Sequence, residues 1–293
     1  MLKLPHNGSS GRPLGASRRQ AALAWVWRMN RRRRALAHVA AAARPEPAPA
    51  PLVDGLLGFW ALDGNAGADE PELAGAAAGG TLGCDFTEDA TDIGIAAGPG
   101  SHAARSFNNL AALTLFGPNA AFASLPLTLN FWAKYPVEFD GGVGSLPWSW
   151  NCGAMWGPPF SAYYYAGVTY VTARDVDAGG VMVANYQTAY CDDAWHMWTI
   201  VLDESWNLSI YIDGELGTDF EPQEVYAPPA GGVLQGELMD SLSFGNSKYN
   251  GALNGSCGAG HAMALLGIWS RVLTASDVAQ LYNGGDGLGF SEF

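Results

Sequence analysis

The segment at residues 195–220 limits the possible folds of this chain more than any other stretch does. It contains two apolar runs, Trp195–Leu202 and Trp206–Ile212, which are separated by the polar break Asp-Glu-Ser. In the second run apolar and polar residues alternate, which is the period of a strand with one buried face. Asp213-Gly214 follows, and this dipeptide favours a tight hairpin turn because both residues tolerate a positive φ. The segment therefore predicts a three-strand antiparallel meander, one face of which must be covered by another layer.

Other segments beyond residue 51 supply that cover. Short apolar or alternating stretches bounded by turn-forming residues predict strands, and they lie at residues 56–63, 104–109, 111–116, 127–135, 180–188, 238–245 and 262–270. Near the carboxyl end, Thr274 and Asp277 have the spacing of a helix capping box, and Gly284-Gly285 predicts the end of that helix. Many short strands with one short helix predict an all-β fold, a two-sheet antiparallel sandwich.

The charge of the chain divides it into two parts. Residues 1–50 carry ten Lys and Arg residues and one acidic residue, whereas the remaining 243 residues carry five basic and 27 acidic ones. Residues 17–44 favour a helix, and the sequence PEPAPAP at 45–51 predicts a stiff, extended linker. We therefore predict a basic N-terminal arm over residues 1–51, partly helical or disordered, and one acidic domain over residues 52–293. The acidic domain is expected to repel nucleic acids and anionic membranes.

The arm has two interpretations. It combines indole rings with a run of arginines, which suits an anchor onto a larger protein assembly, and the candidate anchor residues are Trp25, Trp27, Arg31, Arg32, Arg33 and Arg34. The alternative is a solvated tail without a binding role. Its apolar stretches are short and interrupted, so they make a poor export signal even if translation began at Met29. The chain has no run of about 18 apolar residues, so no membrane span is predicted.

Four phrases of the sequence resemble the LamG-like jelly-roll domains of the concanavalin A-like lectin/glucanase superfamily. They occur in the family's order over about residues 55–290, and they are LLGFWALDGNAGA, LTLNFWAKY, WHMWTIVLDESWNLSIYIDGEL and LGIWSRVLTASDVAQLYNGGDGLGF. The resemblance implies a jelly-roll arrangement of the two sheets. The last phrase is similar to copies found in bacteriophage particle proteins and in environmental bacterial proteins. Ala264 and Leu265 stand where the family usually has an Asp-Glu pair, which weakens any calcium site that the resemblance implies.

The sequence lacks a constellation for catalysis. Retaining glycosidases place two carboxylates about 5 Å apart, and this superfamily delivers them from one strand face by an E-x-D-x-E spacing that does not occur here. His196 lies within a predicted strand, and we interpret it as a packing residue rather than a base. We therefore predict that the protein is not an enzyme. The wide spacing of the cysteines argues against a zinc site and leaves open both disulfides and buried thiols, the four being Cys84, Cys152, Cys191 and Cys257.

Calcium is the one cofactor that the sequence leaves open. Several predicted loops offer the hard oxygen ligands that calcium prefers, and the weak candidates are Asp63, Asn65, Asp89 and Asp92. The alternative is that these side chains are solvated turn residues.

An aromatic segment at residues 148–165 is the best candidate for ligand binding. Its rings lie close to Pro and Gly residues, so we expect them near loops. Aromatic rings stack on the apolar faces of sugars, and the candidate ligand-binding residues are Trp148, Trp150, Trp156 and Tyr164. The alternative is that the rings fill the space between the two sheets. We expect Trp148 and Trp150 to be the most exposed pair.

These observations favour a non-catalytic structural or adhesion module. We expect it at the surface of a phage virion, as a decoration or fibre-like protein that is anchored by its arm, can bind glycans and can form a homo-oligomer. The alternative is a secreted or cell-surface bacterial carbohydrate-binding protein.

Overall fold

The computed structural model describes residues 51–75, 80–85, 93–108, 111–116, 124–137, 145–152, 160–165, 168–175, 180–186, 190–217, 220–225, 239–245, 247–249, 252–254 and 261–293. Its strands are β1 (Leu56–Trp60), β2 (Gly83–Asp85), β3 (Ile93–Ala97), β4 (Ala103–Phe107), β5 (Ala112–Phe116), β6 (Leu127–Lys134), β7 (Ser145–Cys152), β8 (Phe160–Tyr165), β9 (Val168–Asp175), β10 (Gly180–Tyr186), β11 (Trp195–Leu202), β12 (Leu208–Ile212), β13 (Glu215–Leu216), β14 (Phe220–Val225), β15 (Met239–Phe244), β16 (Ser247–Tyr249), β17 (Ala252–Asn254) and β18 (His261–Trp269). One α-helix, α1 (Ala275–Tyr282), follows the last strand, and short 3-10 turns occur at Asn283–Gly285 and Phe290–Glu292.

The described strands form two antiparallel eight-stranded sheets and a separate hairpin of β16 and β17. Sheet 1 has the order β13-β12-β11-β6-β18-β4-β3, and β1 also pairs with β18. Sheet 2 has the order β14-β10-β9-β8-β7-β15-β5-β2. The predicted all-β class with one short C-terminal helix is therefore confirmed. Among the residues that the structure describes, no helix is long and apolar enough to cross a membrane.

The predicted meander is confirmed as β11, β12 and β13. The register pairs Ile200 of β11 with Ile210 of β12, and both side chains are fully buried. Asp213 and Gly214 have φ angles of 53° and 85°, so both residues of the turn adopt the positive φ that a tight hairpin needs. Alternation and turn chemistry together were sufficient to identify this segment because its three strands pair with their neighbours in the chain.

The first apolar cluster fills the space between the two sheets. It combines Trp198 and Ile210 of sheet 1 with Phe160 and Phe244 of sheet 2, and none of these residues is more than 3% exposed. Because side chains of both sheets belong to one cluster, the sheets pack face to face. This is the arrangement of the predicted sandwich.

A second apolar cluster covers the other face of sheet 1. Val278 and Leu281 of α1 pack there with Trp132 and Trp269, and the ring of Tyr282 stacks on Trp132 with centroids 5.7 Å apart. Sheet 1 is therefore the middle of three layers, between sheet 2 and the C-terminal helix.

The second cluster buries residues that alternation places on a polar face. Thr128 and Asn130 of β6 are at most 2% exposed. The Asn130 amide donates to Thr199 Oγ1 at 2.8 Å, and the Thr128 hydroxyl donates to the Arg271 carbonyl at 2.7 Å. Both of these polar side chains thus have a partner, which offsets their loss of contact with water.

The capping box of α1 is confirmed. The Asp277 N–H donates to Thr274 Oγ1 at 3.1 Å, and the Thr274 N–H donates to Asp277 Oδ2 at 2.9 Å. Arg271 donates to the same carboxylate oxygen at 2.7 Å and to the Asp54 carbonyl at 2.7 Å. Burial acts to raise the pKa of Asp277, but the hydrogen bond from Arg271 is the main cause that keeps this pKa below its ordinary value. The helix ends at Tyr282, and the C-cap residue Asn283, directly before the predicted glycines, has a left-handed conformation.

Two backbone positions on the outer edge of sheet 1 are blocked to pairing with a further strand. β3 is its last strand, and Ile95 at its centre is 53% exposed. The Gly67 N–H donates to the Ile93 carbonyl at 2.9 Å, and the Trp195 indole donates to the Ala97 carbonyl at 3.1 Å. Two carbonyls that point away from β4 are therefore already paired.

We expect Thr274→Ala to lower the free energy of unfolding by about 1 kcal/mol, because the amide at the third helical position loses its acceptor. Urea unfolding followed by tryptophan fluorescence measures this change. Gln280→Ala is the matched control, since Gln280 is exposed on the same helix and makes a change within about 0.5 kcal/mol. Equal effects of the two substitutions would contradict a role for the cap.

Candidate functional site

The described parts of the aromatic segment form strands of sheet 2. Trp148 and Trp150 lie in β7, and Tyr164 lies in β8. Aromatic residues have a high strand propensity, and β7 pairs with β8 on one side and β15 on the other. Ligand binding by these residues stays a prediction.

The register of β7 places the tryptophan pair opposite core residues. Trp148 pairs with Phe244, and Trp150 pairs with Leu242; Phe244 and Leu242 are 0% and 2% exposed and belong to the first cluster. Because cross-strand partners share one face of a sheet, the backbone places Trp148 and Trp150 on the core face.

The register of β8 and β9 separates neighbouring tyrosines. Phe160 and Val171 are fully buried in the first cluster, and Tyr164 lies on the same strand face as Phe160 by alternation. Tyr163 and Tyr170 fall on the opposite face, where the register pairs them with each other. Sequence reasoning selected Tyr164, because the phase of alternation could not be fixed in a run of three tyrosines.

The remaining predicted site residues divide by location. The candidate anchor residues Trp25, Trp27 and Arg31–Arg34 lie outside the described residues, as do Trp156, Asp89 and Asp92. Asp63 and Asn65 lie in the described loop that follows β1, and both are exposed.

That loop surrounds an arginine from β4. Arg105 and Glu70 are at most 1% exposed, and the guanidinium donates to Glu70 Oε2 from Nε at 3.1 Å and from Nη2 at 3.0 Å. Arg105 also donates to the carbonyls of Asn65 and Ala68. The positive charge to which this loop is bonded is therefore the guanidinium of Arg105.

Glu70 holds the loop from the other side. Its carboxylate accepts hydrogen bonds from the Asp63 N–H at 3.2 Å and the Gly64 N–H at 3.1 Å. A Cβ on Gly64 would lie 2.5 Å from Arg105 Nη2 and 2.7 Å from Glu70 Oε2, so a larger residue there would displace the ends of this ion pair. The described residues contain no group of three or more His, Cys, Asp and Glu side chains that could hold a metal ion. Calcium binding by Asp63 and Asn65 stays a prediction.

A second network surrounds His196 at the start of β11. Its Nδ1 lies 2.7 Å from Asp213 Oδ2, and its Nε2 lies 3.2 Å from both carboxylate oxygens of Asp192. The ring also packs against Tyr190, with centroids 4.7 Å apart. Sequence analysis interpreted His196 as a packing residue and missed this network. Asp192 is four residues away and was a visible signal, whereas Asp213 reaches the ring only through the turn between β12 and β13.

The His196 network binds a proton but lacks the layout of a catalytic base. Asp213 orients one ring nitrogen, as the acid of a catalytic triad does. The other ring nitrogen faces the carboxylate of Asp192 rather than a nucleophile or an open surface. The network therefore suits charge pairing rather than proton abstraction from a substrate.

Comparison with known proteins supports the fold. No protein-family model matches the chain, and no curated protein matches it. Among solved structures, it is similar to the binding domain of Paraclostridial Mosquitocidal Protein 1, with a TM-score of 0.57 and 15% identity over 79% of this chain and 52% of that chain. It is also similar to the receptor-binding domain of botulinum neurotoxin C/D mosaic serotype, with a TM-score of 0.55 and 13% identity over 80% of this chain and 52% of that chain.

A third similar structure is the botulinum neurotoxin type G receptor-binding domain, with a TM-score of 0.52 and 14% identity over 78% of this chain and 51% of that chain. The chain spans about half the length of each of these domains. At this level of identity the likeness supports the class of fold alone, a β-rich sandwich.

We expect Arg105→Met to lower the free energy of unfolding by about 3–5 kcal/mol, because it leaves the buried Glu70 carboxylate without its cation. The melting temperature should fall by roughly 6–20 °C for a domain of this size. Lys134→Met is the control, since Lys134 and Asp193 form an ion pair with side chains 33% and 63% exposed and its loss costs about 1 kcal/mol or less. Similar shifts for both variants would contradict the organising role of Arg105.

Proposed function

We propose that the protein is a non-catalytic binding or adhesion module that its basic arm attaches to a larger assembly. The observation that best supports this proposal is that two buried carboxylates are already paired with arginines. Glu70 faces Arg105, and Asp277 faces Arg271. A glycosidase instead needs two carboxylates directed at a substrate. These two buried carboxylates thus serve the fold.

The structural similarities support binding as the activity. The three similar domains are named as binding or receptor-binding domains. Their likeness to this chain covers about half of their length, so it supports the general activity and leaves the ligand as a separate proposal.

The proposed location is the surface of a phage virion. The separation of ten basic residues in the first fifty from an acidic domain supports an anchor and a displayed body with different partners. The LamG-like phrases, in a form similar to copies in phage particle proteins, support the same location. A secreted or cell-surface bacterial carbohydrate-binding protein is the alternative.

Mass spectrometry of purified particles and of secreted fractions from the source distinguishes the two locations. We expect peptides from residues 1–50 in the particle fraction, because the arm must be retained to act as an anchor. A protein found in the secreted fraction, with an N-terminus near residues 45–52, would instead support the alternative.

We further propose that the outer face of sheet 2, the face opposite the core, binds glycans. The register brings Tyr163, Tyr170 and Asn185 into one row across β8, β9 and β10. Rings and amides are the groups that stack on sugars and bond their hydroxyls. This proposal replaces the pair Trp148 and Trp150 with residues of the opposite face.

We expect the double variant Tyr163→Ala, Tyr170→Ala to weaken binding on a glycan array about tenfold or more, since each aromatic contact contributes about 0.5–1.5 kcal/mol. Its melting temperature should change little. Tyr164→Ala is the matched control and should lower the melting temperature while preserving glycan binding by the folded protein. Loss of binding in Tyr164→Ala with wild-type binding in the double variant would overturn the assignment of the face.

A further inference from the structure

His196 joins two segments that are distant in the chain. Asp192 belongs to the segment 190–194 that precedes β11, and Asp213 lies in the turn after β12. The imidazole lies between their carboxylates, 2.7 Å from Asp213 and 3.2 Å from Asp192. One side chain thus connects a hairpin of sheet 1 to the segment that leads into that sheet from β10 of sheet 2.

The two carboxylates differ in how firmly the rest of the protein holds them. Asp213 Oδ1 accepts a hydrogen bond from the Met197 N–H at 2.9 Å, and the Asp213 N–H donates to the Met197 carbonyl at 2.9 Å. Asp192 has a side chain that is 55% exposed and accepts a bond from Ala194 in its own segment. If the network separates, the contact between His196 and Asp192 would therefore break, and the contact between His196 and Asp213 would remain.

Only the protonated ring can donate to both carboxylates. A neutral imidazole has one N–H, so its other nitrogen presents a lone pair. If His196 loses its proton, the nitrogen that keeps an N–H bonds one carboxylate and the other nitrogen repels the second. We propose that His196 is a proton-operated latch, which holds Asp192 against sheet 1 while the ring is protonated and releases it when the proton leaves. Asp193 keeps its own tie, because its N–H donates to the carbonyl of Tyr135, directly after β6, at 2.9 Å.

The charged groups around the ring favour the closed state. Asp192 and Asp213 face it directly, and Asp193, the residue next to Asp192, is paired with Lys134 at a nitrogen–oxygen distance of 3.0 Å. The surroundings of His196 are therefore predominantly negative, which stabilises an imidazolium.

The pKa of His196 agrees with this geometry. The hydrogen bond to Asp213 is the largest cause that raises it above the ordinary value of 6.5, against the opposing effect of burial. Burial acts to raise the pKa of Asp192, but hydrogen bonds from Ala194 and His196 outweigh it and lower that pKa. A raised histidine pKa contributes stability that is fully present below pH 6.5 and is lost as the pH rises through the folded pKa. The latch is therefore closed in acid and opens in base.

Opening of the latch has a structural consequence. Tyr190 and Cys191 of the same segment pack against the first cluster. Release of Asp192 would loosen these contacts and expose amides of the crossover between the two sheets. The effect should be local, because Asp213 keeps its bonds to Met197.

Two measurements on the full chain test the latch. Ring carbon-bound proton signals in NMR spectra, recorded from pH 5 to 9, give the pKa of His196, which we expect above 6.5. Hydrogen exchange by mass spectrometry, corrected for intrinsic exchange at each pH, should show protection of the segment 190–194 falling about tenfold or more through that pKa. A pKa at or below 6.5, or protection that does not change with pH, would overturn the proposal.

Variants separate the latch from a general effect of pH. In His196→Asn, protection of the segment should be low and independent of pH. Asp192→Asn should lower the pKa of His196 and reduce protection in acid. His102→Gln is the matched control, because His102 lies 3.9 Å from a different carboxylate, Glu292, and should leave the pH response intact. An unchanged response in His196→Asn, or its loss in His102→Gln, would refute the latch.

Discussion

The burial of sheet 1 on both faces is the constraint on which the rest of the domain depends. All nine residues of β18 are buried, and this strand pairs with β1, β4 and β6. On one side, its partner changes from β4 to β1 at an irregularity between Ala264 and Gly267. Leu265 lies at this irregularity and adopts a positive φ of 51°. A non-glycine residue in this conformation is held by its surroundings, and here the surroundings are the second apolar cluster.

This constraint explains a departure from the LamG-like pattern. Ala264 and Leu265 stand in place of an Asp-Glu pair, and they are 0% and 3% exposed in the second cluster. Carboxylates at these positions would need cations or hydrogen-bond donors in place of apolar neighbours. The C-terminal layer therefore determines which residues this part of β18 can carry.

The sequence was informative where contacts are local. The β11–β13 meander and the Thr274–Asp277 capping box followed from spacing and turn chemistry, because both structures form between residues close in the chain. Glu70 and Arg105 are 35 residues apart, and nothing in either segment signals the other. The faces of β7 and β8 were also beyond prediction, since a one-residue change of register moves every side chain to the opposite face.

The closure of β3 affects how the protein behaves at high concentration. Exposed sheet edges recruit strands from other molecules, and natural proteins block them to avoid aggregation. The uncharged sequence Ile-Gly-Ile-Ala-Ala of β3 carries none of the lysines or prolines that often serve this purpose. The carbonyls of Ile93 and Ala97 are instead occupied by Gly67 and Trp195. A strand from another molecule cannot form hydrogen bonds with these two carbonyls. Copies of the protein at high concentration are therefore hindered from pairing their sheets along β3.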